Sequence, residues 1–235
     1  LIALDLLDEA YAMILDIPLA RVSPEYVQHT LTLADKLVEA GLNTRGLALL
    51  GIVPLEEDDE ELLRILIRYA RDFREQDELD EALILYDRIR SIPGSPVYKE
   101  ALLWTAYCNV RLGRVESARL FLEEARPIEP RDPEFSLHQL VLARIALADQ
   151  HYRKAMEEVS QGVVFSRIGY AWVPELLYLS GVCYQALDEP RTAANVFGQL
   201  QLFFPSQKWS ERGQERLRGI QDAPESLPPE ENPAS

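Results

Sequence analysis

The chain is poor in the side chains that most often carry chemistry. It has two cysteines in 235 residues, Cys108 and Cys183, and no CxxC pair. Neither a disulfide framework nor a zinc site is indicated. Its three histidines, His29, His138 and His151, fall at unrelated places in the sequence pattern. They read as surface or half-buried side chains rather than metal ligands, and no metal or cofactor is expected. A glycine-rich phosphate loop, HExxH, GxSxG and the kinase signatures are all missing, so the enzyme classes those motifs serve find no support. No apolar run approaches the ~18 residues that would cross a bilayer. Basic charge is scarce, with 24 Lys and Arg against 39 Asp and Glu, a net charge of −15. Binding to phosphate backbones rests on neutralising Lys and Arg, so a general nucleic-acid surface is not expected.

Lysine is rarer still. Only Lys36, Lys99, Lys154 and Lys208 occur, which leaves 24 − 4 = 20 arginines. Two readings are open: a need for guanidinium forks that grip carboxylates, or a GC-rich genome that raises Arg, Ala and Leu together. Leu1 is not an initiator methionine, and the chain reads as a trimmed or mature fragment.

What the sequence does hold is a period. A small residue recurs at Gly46, Ala82, Ala118, Ala155 and Ala193, in steps of 36, 36, 37 and 38. Twelve residues before each stands another small one: Ala34, Ala70, Ala106, Ala143 and Gly181. Four residues after each stands a large one: Leu50, Tyr86, Leu122, Val159 and Phe197. Each unit reads as two antiparallel helices of ordinary length joined by a short turn, at 39–43, 75–79, 111–115, 148–152 and 187–191. Helices approach closely only where the crossing residues are small, and the large residue one turn on fills the adjoining gap. Pro190 suits the first turn of a helix, where its missing N–H costs nothing. Pro93, Pro130 and Pro205 stand near unit ends, where a helix must stop.

On these residues the chain resembles the tetratricopeptide repeat (TPR) family. Ala106, Gly113, Ala118, Leu122, Ala125 and Pro130 match its pattern in one unit, and Gly181, Tyr184, Ala193, Phe197 and Pro205 in another. The resemblance implies an all-α, right-handed α-solenoid of about five TPR-like helix pairs. The array is expected over 23–207, with units near 27–60, 63–96, 99–132, 136–169 and 174–207. Residues 1–22 read as a truncated N-terminal helix, a partial repeat with Ala10 another 36 residues before Gly46. A capping helix is expected over 206–220, with Trp209, Leu217 and Ile220 as its contacts, because terminal repeats need a polar outer face. Residues 221–235, acidic and Pro-rich, read as a disordered tail. The joints SIPGSPVYKEAL (91–102) and LFFPSQKWSERGQERL (202–217) look like those of bacterial envelope repeat proteins, such as the outer-membrane assembly lipoprotein and the Tol–Pal coordinator.

The family resemblance also implies a concave groove made by inward positions of the first helices. Carried onto this chain, those positions are Gln28, Leu31, Asp35, Val38 and Glu39; then Arg64, Ile67, Arg71, Arg74 and Glu75; then Glu100, Leu103, Tyr107, Val110 and Arg111. The last two units supply Leu137, Leu140, Arg144, Leu147 and Ala148, and Glu175, Tyr178, Val182, Gln185 and Ala186. The candidate peptide-binding set is Arg64, Arg71, Arg74, Leu103, Tyr107, Arg111, Leu140, Arg144 and Tyr178. Arg with Tyr is the combination that dominates binding energy at interfaces, so an acidic or carboxylate-bearing peptide is one expectation. The other is that these arginines pair with Glu on neighbouring helices or cover apolar area with their stems. The lysine and asparagine clamp by which some members grip a chaperone tail is not reproduced.

The acidic run EEDDEE (56–61) lacks the turn glycine and alternating ligands of a calcium loop. It reads as the negatively charged start of a helix. Both cysteines hold the same place in their units and read as small buried hydrophobes. Together the signals indicate a non-catalytic scaffold for a protein or peptide, in the periplasm or cell envelope. A cytoplasmic secretion chaperone or regulator, or the accessory repeat domain of a larger enzyme, is the alternative. Self-association through an open end of the array is a further expectation.

Overall fold

The computed structural model describes residues 2–16, 23–55, 59–167 and 169–222. The expected tail beyond 222, residues 17–22 of the first segment and residues 56–58 of the acidic run lie outside the described residues. Among the described residues there are twelve α-helices and no strand. They are α1 (Ile2–Leu15), α2 (Pro24–Glu39), α3 (Asn43–Ile52), α4 (Glu60–Glu75), α5 (Leu79–Arg90), α6 (Tyr98–Arg111) and α7 (Val115–Glu124). Then follow α8 (Phe135–Ala148), α9 (Tyr152–Val164), α10 (Val173–Ala186), α11 (Pro190–Phe203) and α12 (Lys208–Gln221).

Five pairs pack in hairpin fashion: α2 with α3, α4 with α5, α6 with α7, α8 with α9, and α10 with α11. One device closes the first helix of every pair. Gly41, Asp77, Gly113, Gln150 and Asp188 all take positive φ, between 61° and 77°. The N–H of each following residue then reaches back five residues, as from Leu42 to the Leu37 carbonyl (2.8 Å) and from His151 to that of Ala146 (2.8 Å). This is the Schellman closure, which satisfies carbonyls that the helix end leaves orphaned. Glycine reaches the left-handed region without strain at only two of the five turns.

The chain divides into two compact units, Leu1–Ala125 and Arg126–Ser235. In the first, α1 packs on α2, α3 on α5, and α5 on α6. In the second, α10 packs on both α8 and α9, and α12 closes over α10 and α11. The side chain of Asp59 caps α4 through the Leu62 N–H (3.0 Å), with Glu60 and Glu61 in its first turn. The described part of the acidic run therefore starts a helix, as expected.

The period reports burial. Ala34, Ala70, Ala106, Ala143 and Gly181 are buried, as are Gly46, Ala82, Ala118, Ala155 and Ala193. So are Leu50, Tyr86, Leu122, Val159 and Phe197. A methyl group on Gly46 would stand 2.7 Å from Val38 Cγ2 and 3.2 Å from the Ala34 carbonyl, so that crossing admits nothing larger. Cys108 and Cys183 are free and buried. His138 departs from its expectation: it is buried, at 8% exposure, because its position on α8 faces the core of the second unit.

Candidate binding face

In the first unit α4 and α6 are joined by a ladder of cations and rings. The Arg74 guanidinium lies 3.3 Å from the centre of the Trp104 ring, and its Nη1 donates to the Tyr86 hydroxyl at 3.3 Å. Arg74 is only 6% exposed. Its charge is held on aromatic faces, an arrangement worth about 2 kcal/mol when desolvated. Burial pushes the Tyr86 phenol well above its ordinary range, with the Arg74 charge opposing that shift. Trp104 meets Tyr107 edge to face at 5.3 Å and donates from Nε1 to Glu100 (3.1 Å). Arg111 donates to the Tyr107 hydroxyl at 2.8 Å and pairs with Asp77 at 2.9 Å. The Asp77 that closes α4 therefore also anchors α6.

The expected groove residues, each within its own unit, separate into two groups. Leu31, Ile67, Leu103 and Leu140 are at most 8% exposed and belong to the core. Leu103 and Leu140 are fully buried, and Tyr107 is buried at 2%. None of the three is available to a partner, because each packs where helices meet. Arg64 and Arg71 are exposed on α4. Arg64 pairs with Glu60 one turn earlier at 2.9 Å, a contact of small net worth in solvent. Arg71 makes no ion pair among the described residues. With Gln28, Glu39 and Glu75, also exposed, these arginines form a mixed polar surface.

In the second unit the equivalent side is occupied by α12. Arg144 pairs with Glu175, whose side chain is 5% exposed. The Arg144 guanidinium also lies 5.1 Å from the Trp209 ring of α12. Trp209 packs on Tyr178 at 5.2 Å, and Arg212 covers its ring at 4.7 Å. Arg216 donates to the Tyr178 hydroxyl (3.0 Å) and to Gln185 Oε1 (2.8 Å). Arg144 and Tyr178 are therefore engaged by the closing helix. Of the five expected arginines, Arg74, Arg111 and Arg144 make contacts within the fold.

Two open sites were not foreseen from the sequence. A groove of about 530 Å³ between α1 and α2 is lined by Ala10, Met13, Ile14, Tyr26 and Leu33 among others. A cavity of about 370 Å³ lies where the ends of α9 and α11 meet the start of α10, lined by Val163, Arg167, Tyr170, Pro174 and Phe204 among others. One wall of that cavity is pinned by Ser136, which donates to the Gly162 carbonyl (2.8 Å) and accepts from Trp172 Nε1 (3.0 Å). On α8, His138 is buried with neither ring nitrogen bonded. Burial, helped by the charge of Arg126, lowers its pKa to about 4 and keeps it neutral.

No helix among the described residues is long and apolar enough to cross a membrane. No family model matches the chain, nor does any curated protein sequence. Solved structures do match. One is a thermophilic TPR protein of Thermus thermophilus, with a TM-score of 0.55 over 82% of this chain and 99% of that one, at 16% identity. Another is PilW, a widely conserved type IV pilus biogenesis factor, with a TM-score of 0.52 over 88% of this chain and 90% of that one, at 17% identity. The fold is TPR-like, an all-α helical-repeat solenoid.

Proposed function

We propose that the chain is a non-catalytic scaffold that holds a peptide or protein segment against the inward side of its first helices. One observation carries this reading. The first unit presents exposed Arg64 and Arg71 on a helix whose underside is fixed by the Arg74, Trp104, Tyr107 and Arg111 ladder. Side chains already rigid behind a surface lower the entropy lost when a partner docks on it. Arg71 offers a bidentate donor to an incoming carboxylate, so the partner on this reading is an acidic segment. The cellular setting we favour is assembly of a bacterial envelope complex. Its support is the look of the 91–102 and 202–217 joints and the fold shared with a pilus biogenesis factor.

The test uses acidic, neutral and basic peptide sets with fluorescence anisotropy. Arg64→Glu with Arg71→Glu should weaken binding of acidic peptides at least tenfold, about 1.4 kcal/mol, with helical circular dichroism unchanged. Equal binding by the variant would remove the inward surface as the site.

A further inference from the structure

Among its described residues the second unit carries four large apolar side chains in the open. Val164 and Phe165 at the end of α9 are 75% and 45% exposed, and Leu202 and Phe203 at the end of α11 are 73% and 65% exposed. They are register equivalents. Val164 and Leu202 each stand nine residues after the small crossing residue of their helix, Ala155 and Ala193, and the phenylalanines ten. Their chain neighbours Val163, Ser166 and Phe204 line the same 370 Å³ cavity, which brings the two helix ends to one edge of the unit. We infer that this edge is a two-fold interface with a second copy of the chain.

Area supports this. With 150–250 Å² for each aromatic side chain, the four together expose roughly 450 Å². That is within the range of the largest patch on a monomer, about 300–600 Å², which is often functional. Homodimer interfaces are about 65% apolar, so such a core implies about 700 Å² per partner, near the ~800 Å² of a standard interface.

Charge points to the same occupant. The chain has 39 acids in 235 residues, yet residues 159–174 and 190–210 contain none and carry Arg167, Arg191 and Lys208. Two chains of net charge −15 repel over most of their surface. The segments that bear the apolar edge are where they can meet without opposing carboxylates. Glu158, Glu175, Glu189 and Glu211 bound the two segments, and a two-fold axis sets each patch against its own copy. The basic residues of one copy then face Glu158, Glu189 and Glu211 of the other, Glu175 being buried against Arg144.

Sedimentation velocity on the full chain, over a hundredfold range of concentration, tests this. The expected result is a concentration-dependent dimer. Val164→Asp with Leu202→Asp should abolish it while circular dichroism and thermal midpoint stay unchanged. Ile84→Asp with Leu120→Asp, which alters two exposed apolar residues of the first unit, should leave it intact. If the double aspartate variant is misfolded, Phe203→Ser alone, at a helix end where the residue is 65% exposed, should still weaken the dimer. A wild-type chain that sediments as a monomer throughout would overturn the inference, as would a dimer indifferent to these variants. Flotation of a monomeric chain with phosphatidylglycerol vesicles, lost in the same variants, would assign the edge to lipid and also overturn it.

Discussion

Gly181 on α10 faces the Phe197 ring of α11, and the effect of adding one methyl group there can be worked from the geometry. A Cβ at 181 would lie 2.7 Å from Phe197 Cζ and 2.8 Å from its Cδ1. Carbon atoms rest at about 3.5–4.0 Å, so the ring would have to retreat by roughly 1 Å. It has little room: Phe197 is fully buried, packs on Tyr178 at 6.0 Å, and stands 3.3 Å from where a Cβ on Gly213 would be. Overpacking of this kind costs about 1–3 kcal/mol, while Gly→Ala in a helix interior contributes about 0.5–1 kcal/mol in the other direction. Gly181→Ala is therefore expected to destabilise by about 1–2 kcal/mol, lowering the thermal midpoint by roughly 2–8 °C for a chain of this size. Gly198→Ala on α11, where an added Cβ meets nothing within 4 Å, should raise it. Thermal melts followed by circular dichroism read both. Phe197→Leu should cost less in the Gly181→Ala background than alone, since the smaller side chain relieves the clash. Two Gly→Ala variants that both stabilise, with Phe197→Leu additive to each, would refute the close-approach account of the period.

At the fourth turn Gln150 takes φ 61°, a region that costs side chains with a Cβ about 1 kcal/mol. Gln150→Gly should raise stability by about 0.5–1 kcal/mol, read as a higher thermal midpoint. His138 makes the second unit acid-sensitive. Its pKa falls from 6.5 to about 4 on folding, so the unfolded chain binds the extra proton between those values. The stability from the neutral ring is complete above about pH 6.5 and declines as pH falls to about 4, by about 3 kcal/mol. His138→Leu should flatten the difference between urea midpoints at the two ends of that window, and parallel pH profiles for the two proteins would refute the assignment.

The helical hairpins were legible because close helix crossings leave a trace in sequence. Fifteen positions in three registers specify where side chains must be small and where one must be large, and every one of them is buried. The turns were legible from spacing alone, since Asp77, Gln150 and Asp188 do the work that glycine usually signals. The inward arginines were not. Repeat position fixes where a Cα sits, but a guanidinium reaches several ångströms further, and its partner can be remote in sequence. Arg74 finds Trp104, thirty residues on, and Arg144 finds Trp209 on a helix outside the five pairs. Leu103 and Leu140 are fully buried, because α6 packs on α5 and α7 and α8 packs on α9 and α10, contacts that repeat position alone does not specify. The apolar edge had a signal that composition averages away: the pairs Val164–Phe165 and Leu202–Phe203 stand in the same register, inside stretches without acids.

The aromatic ladder and its counterpart also give the molecule a built-in optical division. Of its three tryptophans, Trp104 is in the first compact unit, while Trp172 and Trp209 are in the second. Trp104 and Trp209 are each almost wholly sealed from water and overlain by a guanidinium, so their emission should change sharply when the cover lifts. With Trp172 and Trp209 replaced by Phe, the remaining fluorescence belongs to the first unit alone. Replacing Trp104 gives the complementary view, so the melting of each half can be followed in the intact chain with no dye attached.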